Sequence, residues 1–148
     1  MWKNNVRHGK GISYKNGNIE YDGSWLYNEK HGCGKLYIDS KMVYDGDWEH
    51  NEKHGRGKLY VNDDMIYSGG WKHDERHGDD GMESANDEAI YIGGWKHDAK
   101  HGQGKLYIDE ITTYDGMWKD GERHGQGKLY VNNEIKYDGM WKHDVKID

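Results

Sequence analysis

Aromatic, small and polar residues recur along this chain at a fixed spacing. Tryptophans stand at positions 2, 25, 48, 71, 95, 118 and 141, so the successive intervals are 23, 23, 23, 24, 23 and 23 residues. A period of about 20 to 50 residues is typical of architectures in which one short unit is copied and stacked. The chain is therefore predicted to form a single array over residues 1–148, with about six repeats that are partial at both ends.

Each unit contains two segments in which polar and non-polar positions alternate. In residues 21–43 the first segment is Tyr-x-Gly-x-Trp, and after a polar stretch the second is His-Gly-x-Gly-Lys-Leu-Tyr. Alternation with period two is typical of a β-strand, because successive side chains point to opposite faces. Two such strands joined by a polar turn make a β-hairpin. We predict an all-β fold, an elongated single-layer solenoid of stacked antiparallel β-hairpins with a period of 23 residues.

The first segment of each unit supplies the predicted structural core. With a turn at residues 28–31, or one two residues longer, Gly32, Gly34 and Leu36 would lie on the same face as the rings, which could then pack against bare glycine backbone. A five-residue loop would reverse this arrangement. The predicted core residues are Tyr21, Gly23, Trp25, Tyr44, Gly46, Trp48, Tyr67, Gly69, Trp71, Tyr91, Gly93, Trp95, Tyr114, Gly116, Trp118, Tyr137, Gly139 and Trp141.

Composition and charge narrow the function classes. The mean hydropathy of −1.25 is that of a disordered chain, but 7 Trp and 12 Tyr placed periodically indicate a folded one. The net charge of −6 is spread with both signs interleaved, so no basic stripe is present to bind nucleic acid. The single Cys33 excludes an internal disulfide, and no apolar run approaches the roughly 20 residues of a membrane span. A reducing, cytoplasmic location is expected.

Catalysis and metal binding are not predicted. An active site needs one asymmetric cluster, whereas copying places the same side chains in rows. Histidines at equivalent positions of successive hairpins would be about 10 Å apart, too far to share one zinc ion. His73, Asp74 and His77 could supply three ligands, or could simply be turn residues that bond local backbone. No catalytic residue, metal or cofactor is therefore expected.

Two further features of the sequence bear on its chemistry. The row of histidines could charge near pH 6.5 and loosen the stack, which would make the array sensitive to pH. Cys33 stands where other repeats have Arg56, Gln103 and Gln126, so it is interpreted as an ordinary strand residue.

The face opposite the rings is the predicted partner-binding surface. It would carry a ladder of Lys and Tyr beside aspartates of the neighbouring strand, which suits an extended or helical peptide. The same pattern is also explained by cross-strand Asp–Lys pairing that only stabilises the sheet. The candidate residues are Lys35, Tyr37, Lys58, Tyr60, Lys105, Tyr107, Lys128 and Tyr130.

The pattern Tyr-x-Gly-x-Trp, then a polar turn ending in Lys or Arg, then His-Gly-x-Gly, resembles the MORN (membrane occupation and recognition nexus) repeat. The matching segments are residues 21–34, 44–57, 67–78, 91–104 and 114–127, nearly the whole chain. The resemblance implies an all-β stack of hairpins with a lengthwise groove. It also implies roles in cytoskeletal assembly, peptide binding, dimerisation through end repeats or contact with phosphoinositide membranes.

Three parts of the chain depart from this pattern. The first and last units are cut in mid-repeat, which fits either a fragment of a longer array or two half-repeat caps. Near residues 78–90 the fourth unit is degenerate, with one extra residue and neither Leu nor Tyr. We predict that its second strand is short, bulged or absent. It is either a decayed repeat or an acidic site formed by Asp79, Asp80, Glu83, Asp87 and Glu88.

These observations predict a non-enzymatic scaffold that binds a protein partner along its groove and self-associates through its open ends. Two alternatives stay open. One is a peripheral membrane module that recognises phosphoinositides, which the net charge disfavours. The other is the targeting arm of a larger enzyme.

Overall fold

The structure, a computed structural model, describes residues 2–3, 6–85 and 89–147. These residues form strands and turns, and the described part contains no helix, so the predicted all-β class is confirmed. The strands are β1 (Trp2–Lys3), β2 (Val6–Arg7), β3 (Gly9–Lys15), β4 (Asn18–Leu26), β5 (Glu29–Ile38), β6 (Lys41–Glu49), β7 (Glu52–Val61), β8 (Asp64–Lys72), β9 (Glu75–Arg76), β10 (Gly78–Ala85), β11 (Ala89–Lys96), β12 (Ala99–Tyr107), β13 (Thr112–Lys119), β14 (Glu122–Val131), β15 (Glu134–Lys142) and β16 (Val145–Ile147).

The chain divides into two compact units, unit 1 (Met1–Asp74) and unit 2 (Glu75–Asp148). In unit 1, strands β3 to β8 lie in chain order, each antiparallel to the next, and β1 pairs with β2. In unit 2, strands β10 to β16 follow the same rule. Among the described residues, the first strand of this order does not pair with the last in either unit, so the sheet is open in both. The predicted stack of antiparallel hairpins is confirmed.

The hairpins turn through two residues rather than the predicted four. Tyr27 and Asn28 have φ values of 49° and 69°, as do His50 and Asn51 in the next repeat. Two-residue turns with both φ values positive match the twist of the flanking strands, and Asn and Asp tolerate this backbone. The prediction of a turn at residues 28–31 was therefore wrong in position. Because the loop is shorter than predicted by an even number of residues, Gly34 and Leu36 still lie on the same face as the rings.

The register places glycine opposite glycine. Gly34 lies opposite Gly23 on one side and Gly46 on the other, while Leu36 lies opposite Tyr21 and Tyr44. Residues directly opposite in an antiparallel pair share a face. The predicted meeting of the ring face and the glycine face is confirmed.

A bulge follows each glycine pair towards the turn. Trp25 lies opposite Lys30, so two residues of β4 span the distance that four residues of β5 span. Gly32, inside this bulge, has a φ of 73°, and Gly55, Gly102 and Gly125 are also positive at the same place. Glycine adopts this conformation without strain, which explains the first glycine of His-Gly-x-Gly.

In each unit the core is a column of Tyr and Trp rings. Trp48 contacts Tyr44 of its own strand and Tyr21 of the preceding repeat, with ring centroids 5.1 and 5.6 Å apart, both edge to face. Such pairs add about 0.5–1.5 kcal/mol beyond area burial. Among the described residues every buried side chain is an aromatic of this column: Tyr21, Trp25, Tyr44, Trp48, Tyr67, Trp71, Tyr91, Trp95, Tyr114, Trp118 and Trp141. Tyr137, in the last hairpin, is half-buried.

The polar ends of the rings are paired with backbone. The Trp48 indole N–H donates to the Gly34 carbonyl at 3.0 Å, and the Tyr44 hydroxyl donates to the Asp47 carbonyl at 3.0 Å. Burial raises the pKa of Tyr44, and raises the pKa of Tyr114 to about 12. The phenols therefore stay protonated donors at physiological pH.

The second glycine of His-Gly-x-Gly is required by space. Gly34 and Gly57 lie under the phenols of Tyr21 and Tyr44, and a Cβ at either position would overlap the ring. Neither has the positive φ of the first glycine. The first glycine of the motif is thus required by its backbone conformation, and the second is required because any side chain there would clash with a ring.

The fourth unit keeps its second strand. Strand β10 is eight residues long, against ten in β5, and the register shifts between Gly78 and Gly81, where the extra residue is accommodated. The predictions of a short and bulged strand were right, and an absent strand was wrong. The Trp95 indole donates to the Gly81 carbonyl at 3.4 Å, so Gly81 takes the place of Gly34.

Glu83 occupies the position that Leu fills in other units. It lies opposite Tyr91, and its carboxylate pairs with the Arg76 guanidinium at 2.6 Å and the Lys100 ammonium at 2.9 Å. This half-buried acid is thus part of a structural ion-pair network rather than an open acidic site. Asp87 and Glu88, which belonged to the predicted acidic cluster, lie outside the described residues.

Candidate interaction surface

The face of the sheet opposite the Tyr–Trp column, called here the second face, carries the side chains that alternate with the core. On β13, for example, Tyr114, Gly116 and Trp118 are buried while Met117 and Lys119 are exposed. The rings of the column are packed in the core. The side chains that stay accessible on these strands therefore lie on the second face.

Lysines and aspartates on the second face lie in register across the strands. Lys35 stands between Asp22 and Asp45, and its ammonium lies 3.7 Å from the Asp45 carboxylate. Lys58 likewise faces Asp45 across β6 and β7. The predicted ladder of Lys and Asp is therefore present in unit 1.

Unit 2 repeats the ladder with a shorter ion pair. The Lys128 ammonium lies 3.0 Å from the Asp138 carboxylate, and hydrogen bonding to that carboxylate raises the pKa of Lys128 and lowers the pKa of Asp138. Lys105 lies opposite Asp115 and also contacts the Tyr107 ring at 5.4 Å. Surface pairs of this kind contribute about 0–1 kcal/mol each.

The four candidate tyrosines differ in exposure. Tyr107 is 40% exposed, whereas Tyr37, Tyr60 and Tyr130 are half-buried. In register, Tyr37 and Tyr60 lie opposite Met42 and Met65. Within each unit the candidate residues thus share one face, and none of them enters the aromatic core.

Residues of the hairpin turns link successive repeats. The Asn51 side-chain oxygen accepts from the Lys30 backbone N–H at 2.8 Å, and the Asn51 N–H donates to the Lys30 carbonyl at 3.1 Å. Asp74 bonds Lys53 in the same way, and Asp144 bonds Arg123. The sequence signal for this clamp is an Asn or Asp three residues after Trp, present in every repeat but the one with Gly121. Periodicity alone does not show that this residue contacts the preceding repeat.

Cations beside the motif histidine cover the rings. Lys30 lies 4.8 Å from the centre of the Trp48 ring, and Arg123 lies 4.4 Å from that of Trp141. Burial lowers the pKa of Lys30. Such stacking is attractive because the ring face is electronegative. These cations, which looked like polar turn residues in the sequence, form the lid of the core.

The turn histidines pair with glutamates of the preceding repeat. His50 Nδ1 lies 2.7 Å from the Glu29 carboxylate, and His143 Nδ1 lies 2.6 Å from that of Glu122. The His50 ring also meets the His31 ring edge to face at 5.6 Å. Hydrogen bonding to Glu29, and then its charge, raises the pKa of His50. At this turn position charging of His50 strengthens the contact with the preceding repeat.

The raised pKa of His50 predicts a pH-dependent stabilisation. A group with a raised pKa in the folded state contributes fully below its unfolded pKa of about 6.5, and the contribution is lost as pH rises through the folded-state pKa. We expect His50→Asn, which tolerates the positive φ but cannot reach Glu29, to lower the melting temperature more at about pH 6 than at about pH 8.5. Thermal unfolding followed by circular dichroism at both pH values measures this. Equal losses at both would contradict it.

The described residues offer no metal cluster and no membrane-spanning helix. No group of three or more His, Cys, Asp or Glu side chains in the described part is arranged to hold a metal ion. No helix there is long and apolar enough to cross a bilayer. Cys33 is exposed, and a hydrogen bond to Asp47 raises the pKa of its thiol, which disfavours the reactive thiolate.

Comparison with known proteins agrees with this architecture. The model of the MORN repeat matches residues 1–19, 21–41, 44–65, 67–78, 91–109 and 114–134, well over half of the chain. A comparison with curated proteins finds no match. MORN repeats are generally non-catalytic. With six matched repeats and a sheet of stacked hairpins, the chain belongs to the MORN repeat family.

Proposed function

We propose that this chain is a non-enzymatic interaction module that binds a partner protein along its second face. The observation that carries the proposal is that the two faces of the sheet differ in which side chains they leave accessible. The rings and glycines of one face form the buried core. The other face presents Lys, Tyr and Asp at the same positions of successive repeats. A periodic surface with amphipathic rings and charges suits a long partner segment.

The proposal also covers where the module acts, whether it self-associates and whether it catalyses a reaction. The module would act in the cytoplasm as a scaffold, associated with cytoskeleton or membrane. Its open strand edges would allow self-association. It would reach these roles without catalysis, because its repeated side chains form rows.

The proposal is tested by substituting one candidate tyrosine in each unit. We expect Tyr60→Ala and Tyr107→Ala to reduce capture of a partner from cell extract by about tenfold or more, because buried interface aromatics carry a large share of binding energy. The partner band is identified by mass spectrometry, and its binding to the purified chain is then measured directly.

Tyr27→Ala is the matched control, because Tyr27 is a turn residue that is 74% exposed and lies off the second face. It should leave capture unchanged, and circular dichroism should show all three variants folded. Capture that is equal for the wild type and for Tyr60→Ala and Tyr107→Ala would contradict binding along the second face.

A further inference from the structure

The second face of unit 2 differs from that of unit 1. At the position between Gly and Trp, unit 1 has Ser24, Asp47 and Gly70, whereas β13 and β15 of unit 2 have Met117 and Met140. These methionines are 41% and 48% exposed, and Ile147, opposite Met140, is 40% exposed. Together Met117, Met140 and Ile147 form what we call the methionine strip. Exposed flexible methionines are characteristic of surfaces that bind apolar segments.

A shallow depression of about 300 Å³ lies at one end of this strip. It is lined by Met117 and Lys119 and by the glycine bulges at Gly102 and Gly125, among others. The space lies on the Gly102 side, where a Cβ would meet nothing within 4 Å, whereas a Cβ at Gly125 would already contact Met117 at 3.4 Å. An apolar side chain of a partner could fill this space.

A row of lysines borders the strip. Lys119 and Lys142 each follow the strip methionine by two residues on the same strand, and Lys96 holds the equivalent place on β11. All three are exposed, and none forms an ion pair with a described residue. On the other side of the strip, Lys128 is neutralised by Asp138. Lys119 also stands opposite Glu122, whose carboxylate contacts His143 Nδ1 at 2.6 Å rather than the Lys119 ammonium. The ammonium groups of Lys119 and Lys142 therefore remain available beside the strip, although unit 2 as a whole has 16 Asp and Glu against 10 Lys and Arg.

The distance between the two methionines of the strip favours a helical over an extended partner segment. Met117 and Met140 are separated by two strands, or about 9.6 Å at about 4.8 Å per strand. Seven residues of an α-helix rise about 10.5 Å, whereas the same-face residues of an extended chain recur at about 6.8 and 13.6 Å. A helix lying across the strands can therefore place a side chain at each methionine, and an extended chain cannot.

Resting on the proposed function, we propose that the methionine strip of unit 2 binds an amphipathic helix of a partner protein, with apolar residues at heptad spacing and acidic residues on the flank facing Lys119 and Lys142. Unit 1 does not share the site, because its strip positions are Ser24, Asp47 and Gly70, none of them a large apolar residue. Of the lysine positions beside them, Leu26 and Glu49 fill two and only Lys72 is a lysine. The interaction is a helix-in-groove mode in which the acidic flank adds specificity.

The test uses the full chain and synthetic helical peptides of about three heptads, roughly 21 residues, with Leu at the a and d positions. One peptide carries Glu on the flanks, a second carries Lys there, and a third replaces Leu with Ser. We expect fluorescence anisotropy to show that the Glu peptide binds about tenfold or more tightly than either of the others.

Variants locate the site. Met117→Ser with Met140→Ser should weaken binding of the Glu peptide by about tenfold or more, and Lys119→Glu with Lys142→Glu should reverse the preference between the Glu and Lys peptides. Met42→Ser with Met65→Ser makes the same chemical change on the second face of unit 1 and should alter affinity by less than about twofold. Circular dichroism verifies folding of each variant.

The inference is overturned if the Glu peptide binds no better than the Ser peptide, or if the unit 1 variant weakens binding as much as the unit 2 variant. Vesicles of phosphatidylcholine with phosphatidylserine provide a separate arm. Binding to these vesicles that depends on Lys119 and Lys142, without peptide binding, would assign the lysines to a membrane surface and overturn the helix. If the tyrosine variants still abolish partner capture, the proposed interaction role survives such a failure.

Discussion

Replacing Gly57 with Ala should cost unit 1 about 3 kcal/mol of its free energy of unfolding, the upper end of the usual range for overpacking. A Cβ at Gly57 would lie 2.6 Å from Cε2 of Tyr44 and would overlap its phenol as well. Tyr44 is 0% exposed and is held between Trp48 and Trp71 by edge-to-face contacts, so it has nowhere to move. Overpacking a close-packed site costs about 1–3 kcal/mol and sometimes more. Urea unfolding followed by circular dichroism measures the loss.

Gly121→Asn is the control for this prediction. Gly121 is a turn residue with a φ of 89° and open space around it, and other turns have Asn or Asp at the same place. The substitution should change stability by less than about 0.5 kcal/mol, or raise it by adding a bond to Lys100 like that from Asn51 to Lys30. If Gly57→Ala were as mild as Gly121→Asn, the steric account of the second glycine would be wrong.

Replacing Trp48 with Ala should destabilise the chain by about 3–5 kcal/mol, the range for a buried Trp. The indole is 4% exposed, contacts Tyr21 and Tyr44, lies under Lys30 and donates to the Gly34 carbonyl. Loss of one ring therefore removes contacts in two successive repeats at once. Urea unfolding with a circular dichroism signal is again suitable, since the other tryptophans complicate fluorescence.

Trp48→Phe separates the ring from its hydrogen bond. It keeps an aromatic side chain but leaves the Gly34 carbonyl without the indole donor, so a smaller loss of about 1–2 kcal/mol is expected. Tyr27→Ala, at an exposed turn ring, should cost less than about 0.5 kcal/mol. Equal losses for Trp48→Ala and Trp48→Phe would show that the edge-to-face contacts contribute little.

The repeat and the two faces could be predicted from the sequence because both depend on local periodicity. The interval between tryptophans defined the unit, and alternation around Tyr21, Gly23 and Trp25 placed rings and glycines on one face. The same parity placed Lys35 and Asp45 together on the second face, where the structure pairs them. The assignment of side chains to the two faces stayed correct although the turn was misplaced. It depends only on whether the loop length is odd or even.

The turn itself was misplaced because its conformation depends on the next repeat. Residues 28–31 looked like a polar loop, yet Lys30 extends β5, lies over Trp48 and is clamped by Asn51, which is one repeat away. Similarly, Glu83 looked like part of an acidic site until Arg76 and Lys100 were seen to surround it. A short window of sequence contains neither set of partners.

The sequence by itself determined the period, the all-β class, the family and the face on which each strand residue lies, because these follow from spacing within one repeat. Only the tertiary structure decided which residues touch between repeats. It showed that the Tyr and Trp rings are paired from one hairpin to the next, that turn carboxamides and carboxylates hold the preceding backbone, and that Met117 and Met140 remain exposed beside unpaired lysines. The physical reason is that a single hairpin buries too little surface to fold, so the contacts that decide its environment belong to its neighbours.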